Sequence, residues 1–365
     1  MAFYSYIFSA NYKKFFNTLK EISKKENKSY IGMTLDTGYC VFRYGLGLSD
    51  YTNFKIYNKT RKERKEYVGT RLENKFYEIV SPSAYKKRYT IKYDFLEDFK
   101  EFTKRDFIVP NEQNYEEVLK FLEKHDAFMS KPYDGLAGRD VKKEYTKNIK
   151  NKKQFWEECI KNRIFLEELV VQHSEMNKLC EKSVNTIRIM TFNDHGNPRI
   201  IWMGLRVGNG VNSIDNFHAQ GMGVNIDINT GKLVGNAIDK DLNEFKEHPT
   251  SHIKFDGFQI PCFEEAKQMV LKASLKSDKI LVVGWDVAIS ENEPIIIEGN
   301  RRPGFDLVQV LSNKGRKDII RSVLNDVKRK KTEDKTQEYI SKDRKSHKNT
   351  WQINQNSVKY ISITK

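Results

Sequence analysis

The segment Ile280–Gly304, ILVVGWDVAISENEPIIIEGNRRPG, decides how the rest of the chain is read. Two apolar runs, Leu281–Ile289 and Pro294–Ile297, flank the polar break Glu291, Asn292 and Glu293, and this spacing predicts a β-hairpin. With those three residues as the loop, antiparallel pairing sets Asp286 opposite Glu298. The two-residue period of strand side chains then puts Asn300 on the same face as Glu298. Two carboxylates and an amide oxygen converge on one point. Like charges opposed in a sheet repel unless something neutralises them, and a small all-oxygen cluster suits Mg²⁺ or Mn²⁺. The plainer reading of an isolated acidic pair is a solvated one on a half-exposed strand. The nearly continuous Val, Ile and Leu on either side argue instead for strands buried on both faces, where an unpaired carboxylate is costly.

The totals bound the rest. A chain of 365 residues that is 38% hydrophobic and 12% aromatic is long enough for two or three packed lobes. The net charge of +15 implies an electropositive surface. Much of the basic excess lies in YNKTRKERKEY at 57–67 and in the tail from Lys314, not in one aromatic-laced groove. Solvated helix faces and a basic tail explain it better than a specific nucleic-acid partner, and leave peripheral contact with anionic surfaces open. No apolar run reaches the length of a transmembrane segment, and MAFYSYIFSANYKKFF lacks the basic start and long apolar core of a secretory signal. Cys40, Cys159, Cys180 and Cys262 are scattered without CxxC spacing, so reduced thiols and a cytoplasmic location are expected.

Along the chain, Phe8, Tyr12, Phe15, Leu19 and Ile22 recur at helical spacing, and a second long helix is expected over about 51–79, stopped by Ser81, Pro82 and Ser83. Helical patterns follow at 93–105 and 115–125. From Ala127 the sequence AFMSKPYDGLAGRD reads as a short strand ending in Lys131, followed by a loop containing Gly135 and Gly138. Such a loop can close over a ligand with its N–H groups exposed while the lysine supplies a point charge for a phosphate, although Gly and Pro mark ordinary turns as well. After a helix at about 152–162, IFLEELVV is a buried strand or hinge interrupted only by Glu167 and Glu168. SVNTIRIMTF and RIIWMGLRVG are paired strands carrying Arg188 and Arg206. An arginine within an apolar strand needs an anionic partner: either a phosphate or carboxylate of a ligand, or internally Asp286 or Glu298. The glycine-rich loop 208–223 is long enough to be functional, but its His218 is assigned no role. His248 and His252 have no neighbours at zinc spacing. A helix is expected at 263–275 and a short one near 317–327, before a highly charged run. P-loop, dinucleotide, protein-kinase and serine-hydrolase signatures are absent.

In order, these pieces resemble the ATP-grasp superfamily. The strings SVNTIRI, GLRVG, NFHAQGMGV, HPTSHIKFDGFQIP, GWDVAI and IIIEGNRRPG, spread over roughly 30–310, are similar to its sugar-transfer-associated family. The resemblance implies an α+β fold whose two lobes clamp a nucleotide. It divides the chain into a mainly helical region at 1–92, the lid and first lobe at 93–171, a catalytic lobe at 172–328 and a basic tail at 329–365. It also implies ATP and Mg²⁺ (or Mn²⁺) as cofactors. Lys131 would reach the phosphates, with Lys104 as the earlier nucleotide-binding lysine and Gly135–Gly138 as a lid. Glu167 and Glu168, with the backbone of Leu169 and Val170, would form the hinge that reads adenine, and Glu175 would take the ribose. Asp286, Glu298 and Asn300 match metal positions, and Arg188 and Arg206 match residues that stabilise the transferred phosphoryl group or an acyl intermediate.

The function so implied is an ATP-dependent carboxylate–amine ligase acting on small or sugar-linked substrates, with a place in polysaccharide biosynthesis. Two other readings stay open. The same nucleotide site serves a kinase that phosphorylates a hydroxyl, and a degenerate site would leave a polyanion-binding protein.

Overall fold

The computed structural model describes residues 12–133, 141–211, 221–277 and 279–333. The helical spacing of Tyr12, Phe15, Leu19 and Ile22 yields α1, Tyr12–Lys25, which buries Phe15 and Leu19; Phe8 lies outside the described residues. A second helix, α2, spans Tyr30–Tyr44. The Ser29 hydroxyl accepts from the Gly32 N–H at its start, and Gly45, at φ 68°, closes its end.

The single long helix expected at 51–79 does not form. The chain there breaks into Leu48–Asn53, Arg61–Arg64 and α3, Thr70–Val80. Lys55 takes a left-handed conformation, Thr60 caps the middle segment through the Glu63 N–H, and Gly69 starts α3. Gly69 is fixed by close approach, since a Cβ there would sit 2.4 Å from the Gly45 carbonyl oxygen. The aromatic spacing that predicts one helix is satisfied by several short ones that bury Tyr51, Phe54, Tyr67, Phe76 and Tyr77 from different directions.

Two antiparallel sheets follow. The smaller contains β1 (Phe107–Ile108), β2 (Ala127–Pro132), β3 (Lys142–Tyr145) and β4 (Ile164–Glu168) in the order β1-β4-β2-β3. Helices α4, Tyr115–Lys124, and α5, Lys152–Lys161, flank it, and Val118, Phe121, Leu122, Phe128, Cys159 and Leu166 form its core. The larger sheet contains β5 (Thr186–Asp194), β6 (Asn197–Val207), β7 (Met222–Ile226), β8 (Leu233–Asp239), β9 (Glu244–Phe245), β10 (Val282–Ile289) and β11 (Pro294–Asn300). Its order is β11-β10-β5-β6-β7-β8-β9. Strands β5 and β6 are joined at His195 and Gly196, both with positive φ, as a two-residue hairpin turn requires. Helix α6, Phe263–Leu275, covers this sheet over a core that includes Ile187, Ile189, Met203, Val283 and Trp285. The short α7, Asp306–Ser312, follows β11.

Residues 1–317 form one compact unit and 318–365 a second, whose described part is helical from 318 to 333. The architecture is α+β, with β10 buried along its whole length.

Candidate active site

The hairpin β10–β11 has the register the sequence predicts at its functional end, but it reaches it by an unforeseen route. Beside the turn, Ile289 pairs with Pro294 and Val287 with Ile296; beyond, Asp286 pairs with Glu298 and Gly284 with Asn300. Ile297 is therefore an extra residue, a β-bulge that shifts the pairing by one. Without it the regular ladder would place Asp286 opposite Ile297 and turn Glu298 to the other face.

Asp286 is 1% exposed and sits between two arginines. Register explains the first, since Asp286 pairs with Arg188 across β10 and β5. Arg188 donates from Nε to Oδ1 and, at 3.0 Å, from Nη2 to Oδ2; Arg206 Nη1 donates to Oδ2 at 3.1 Å. Burial opposes ionisation of Asp286, yet the two guanidinium groups outweigh it and hold the carboxyl below its ordinary range. Its neighbour goes the other way. Burial, then the charge of and hydrogen bond to Asp286, push Glu298 up. Asn300 Nδ2 lies 3.2 Å from Glu298 Oε1, completing the trio. Of the two partners left open for the arginines, the structure uses the internal one, Asp286. This does not close the cluster to a cation: each carboxylate oxygen carries two lone pairs, and two hydrogen-bonded carboxylates in a buried site call for a shared proton or a positive ion. The donor set fits a hard divalent metal.

Arg188 Nη1 also donates to the Pro303 carbonyl at 3.2 Å, tying the segment after β11 to the carboxylates. Gly284 permits that approach, because a Cβ on it would lie 2.3 Å from Pro303 Cβ.

A second charged group forms on the smaller sheet. Met129 pairs with Glu167 and Phe165 with Lys131, so Lys131 and Glu167 are diagonal neighbours on one face, and Lys131 Nζ donates to Glu167 Oε2. Arg105 Nη2 lies 2.8 Å from Glu167 Oε1. Burial works against the Glu167 carboxylate, but Arg105 and Lys131 together hold it below the ordinary range. Arg105 also donates to the carbonyls of Ile296 and Ile297, each at 3.2 Å, and so links this cluster to the bulge. The sequence reading missed Arg105. Its one available signal was an arginine one residue ahead of the apolar FIVP string, with only Asp106 between, close to the logic that singled out Arg188.

Other expected site residues are placed apart. Glu168 points to the opposite face from Glu167, as strand alternation demands, and accepts from the Asp106 N–H at 3.0 Å beside His125. Among the described residues no backbone hydrogen bond engages the peptides of Leu169 or Val170, which directly follow β4. Glu175 is exposed and pairs with Lys178 at 2.6 Å. Lys104 does not join Lys131; its ammonium pairs with Glu293 at the hairpin turn, and Arg105 occupies the inward position instead. Gly135, Gly138 and His218 lie outside the described residues.

No curated protein gives a significant match to the chain. Solved structures with a similar trace include the ATP-grasp ligase PsnB complexed with a phosphomimetic variant of minimal precursor, Mg and ADP. That pair has a TM-score of 0.42 and 14% identity, covering 68% of this chain and 62% of that one. The D-cycloserine synthetase DcsG gives 0.38 and 12%, over 67% and 71%. The D-alanine-D-alanine ligase from Coxiella burnetii gives 0.41 and 9%, over 68% and 59%. The chain thus spans about three fifths of the PsnB length, 62%. The family model for sugar-transfer associated ATP-grasp proteins matches residues 99–325, a stretch that contains the arginine-clasped hairpin and the Lys131 cluster, and the chain belongs to that family.

Proposed function

We propose that the protein is an ATP-dependent ligase that transfers the γ-phosphoryl group of ATP to a carboxylate and passes the acyl group to an amine, releasing ADP and phosphate. The observation that carries this reading is the pairing of buried Asp286 with half-buried Glu298, with Asn300 beside them and two arginines against Asp286. Asp286, Glu298 and Asn300 would hold Mg²⁺ or Mn²⁺, which when bound neutralises phosphate oxygens. Lys131 would bind the nucleotide phosphates, exchanging part of its pairing with Glu167 for them. The peptide groups of Leu169 and Val170 supply a donor and acceptor edge suited to adenine. Arg188 and Arg206, anchored on Asp286, bring fixed positive charge to the place where the phosphoryl and then the acyl oxygen become anionic. Donors so directed typically supply about 3 kcal/mol each. The family's association with sugar transfer supports a sugar-linked carboxylate or amine within polysaccharide biosynthesis.

The test is ADP release measured across sugar acids and amino acids offered singly and in pairs. ADP and free phosphate should form only when a carboxylate and an amine are both present. ADP formed with a hydroxyl-bearing sugar alone would make the enzyme a kinase and overturn the ligase reading. In Glu298→Gln, turnover should fall by at least about a thousandfold while the melting temperature stays within about 4 °C, because the substitution removes the repulsion with Asp286.

A further inference from the structure

We propose that the outward face of α2 docks on an anionic phospholipid bilayer. Ile31, Leu35, Gly38 and Phe42 succeed one another at helical spacing and form one stripe along this 15-residue helix. Ile31 is 71% exposed, Leu35 70%, Phe42 83% and the bordering Tyr39 46%. No charged side chain lies on that stripe. Asp36 turns away, to Arg64 Nη1 at 2.6 Å and the Tyr51 hydroxyl at 2.9 Å, and Arg43 sits at the edge. A surface helix ordinarily turns charge outward; α2 buries Met33, Thr37, Cys40 and Val41 on one side and presents apolar groups on the other. A Cβ built on Gly38 would meet nothing within 4 Å, so no described residue covers the middle of the stripe.

Charge identifies the occupant. Residues 12–92 hold 19 lysines and arginines against 8 aspartates and glutamates, a net +11 out of the chain's +15. Helix α1, packed against α2, carries Lys13, Lys14, Lys20, Lys24 and Lys25 against the single acid Glu21. Shallow insertion of an apolar stripe, flanked by aromatic rings such as Tyr30 and Tyr39 and adjoining a lysine-rich helix, is how an interfacial helix binds anionic lipid: apolar burial and headgroup attraction act together. A second copy of the chain would bring the same positive field against itself. A nucleic acid would satisfy the lysines but offer no apolar counter-surface to Ile31, Leu35 and Phe42. Residues 1–11, MAFYSYIFSAN, contain no charged side chain, so the segment leading into α1 adds nothing that an anionic surface would repel.

The test is co-sedimentation of the full chain with phosphatidylcholine vesicles containing about one third phosphatidylglycerol, and with pure phosphatidylcholine vesicles. The protein should partition onto the anionic vesicles, more weakly as salt is raised. The triple variant I31S/L35S/F42S should lose at least about tenfold in partitioning with an unchanged melting temperature, since all three side chains are exposed. The variant K13E/K14E/K20E should also lose binding while keeping the stripe intact. Equal binding by the triple variant, or none by the parent, overturns the proposal. A parent dimer that the triple variant converts to monomer assigns the stripe to a second copy and also overturns it. The same follows if the triple variant, without any vesicle effect, exposes residues 1–11 to protease, which would make the chain's own leading segment the occupant. None of these outcomes depends on the ligase reading.

Discussion

Asp286 and Glu298 are the same kind of group a strand apart, yet their surroundings drive them in opposite directions, and their substitutions should part in the same way. Asp286→Asn leaves Arg188 and Arg206 buried without their carboxylate, and should cost about 3–5 kcal/mol in urea unfolding. The Glu298→Gln replacement should cost almost nothing. Glu73 on α3 offers a pH-dependent counterpart. Burial, with Asp306 and Asp50 nearby, pushes its carboxyl from 4.5 up to about 8. Between those values the folded state keeps a proton that the unfolded chain has released, so stability falls as pH rises from about 4.5 to 8 and is level above. Glu73→Gln should flatten that decline and be the more stable protein at pH 8, as denaturant titrations at pH 5 and pH 8 would show. At this scale the sequence revealed residues whose type conflicts with their setting: acids and arginines inside apolar strands. It hid Arg105, which precedes a strand of only two residues and so has no periodic context. It also offered Glu167 and Glu168 as a pair, although neighbours in a strand necessarily face apart.

Among the elements, β11 was legible because two apolar runs around three polar residues admit one simple hairpin. The bulge at Ile297 was not, since nothing in PIIIEGN distinguishes a regular strand from one with an extra residue; contacts from elsewhere decide it. Arg105 supplies one, gripping the carbonyls of Ile296 and Ile297 while its other partner is Glu167. Arg105→Met should therefore destabilise by about 3 kcal/mol, and the double variant Arg105→Met/Glu167→Met should recover part of that loss, because the buried carboxylate that Lys131 alone would have to neutralise is gone. Urea midpoints of the two single variants and the double close the cycle; strictly additive losses would mean that the ion pair contributes little. The front helices show the opposite failing. Their aromatic spacing runs on through Lys55 and Gly69, where the backbone turns, and helical periodicity alone does not register a left-handed residue or a close approach to Gly45.

Over the whole molecule, the smaller sheet carries Lys131 and the larger one the carboxylates, and a ligand spanning both should make their unfolding more concerted. ATP with Mg²⁺ should raise the melting temperature by several degrees, ATP alone by less, and Lys131→Ala should abolish most of the gain. Differential scanning fluorimetry with and without a chelator measures all three. The α+β class and the order of motifs were readable from end to end because each motif is local. How the helices at 12–80 assemble was not, for their packing rests on side chains distant in sequence, such as Gln309, whose amide group bonds both the N–H and the carbonyl of Val68.

Arg188 holds the Asp286 carboxylate with two of its nitrogens and the Pro303 carbonyl with the third. A few residues along that same segment, Arg301 donates to the Ser81 carbonyl and Arg302 lies 5.9 Å above the Tyr77 ring. The carboxylate site is thereby joined, guanidinium to peptide to aromatic ring, to the helices at the front of the chain. One unbroken run of direct contacts spans from Asp286 to Tyr77 and Ser81, with a single arginine at its head.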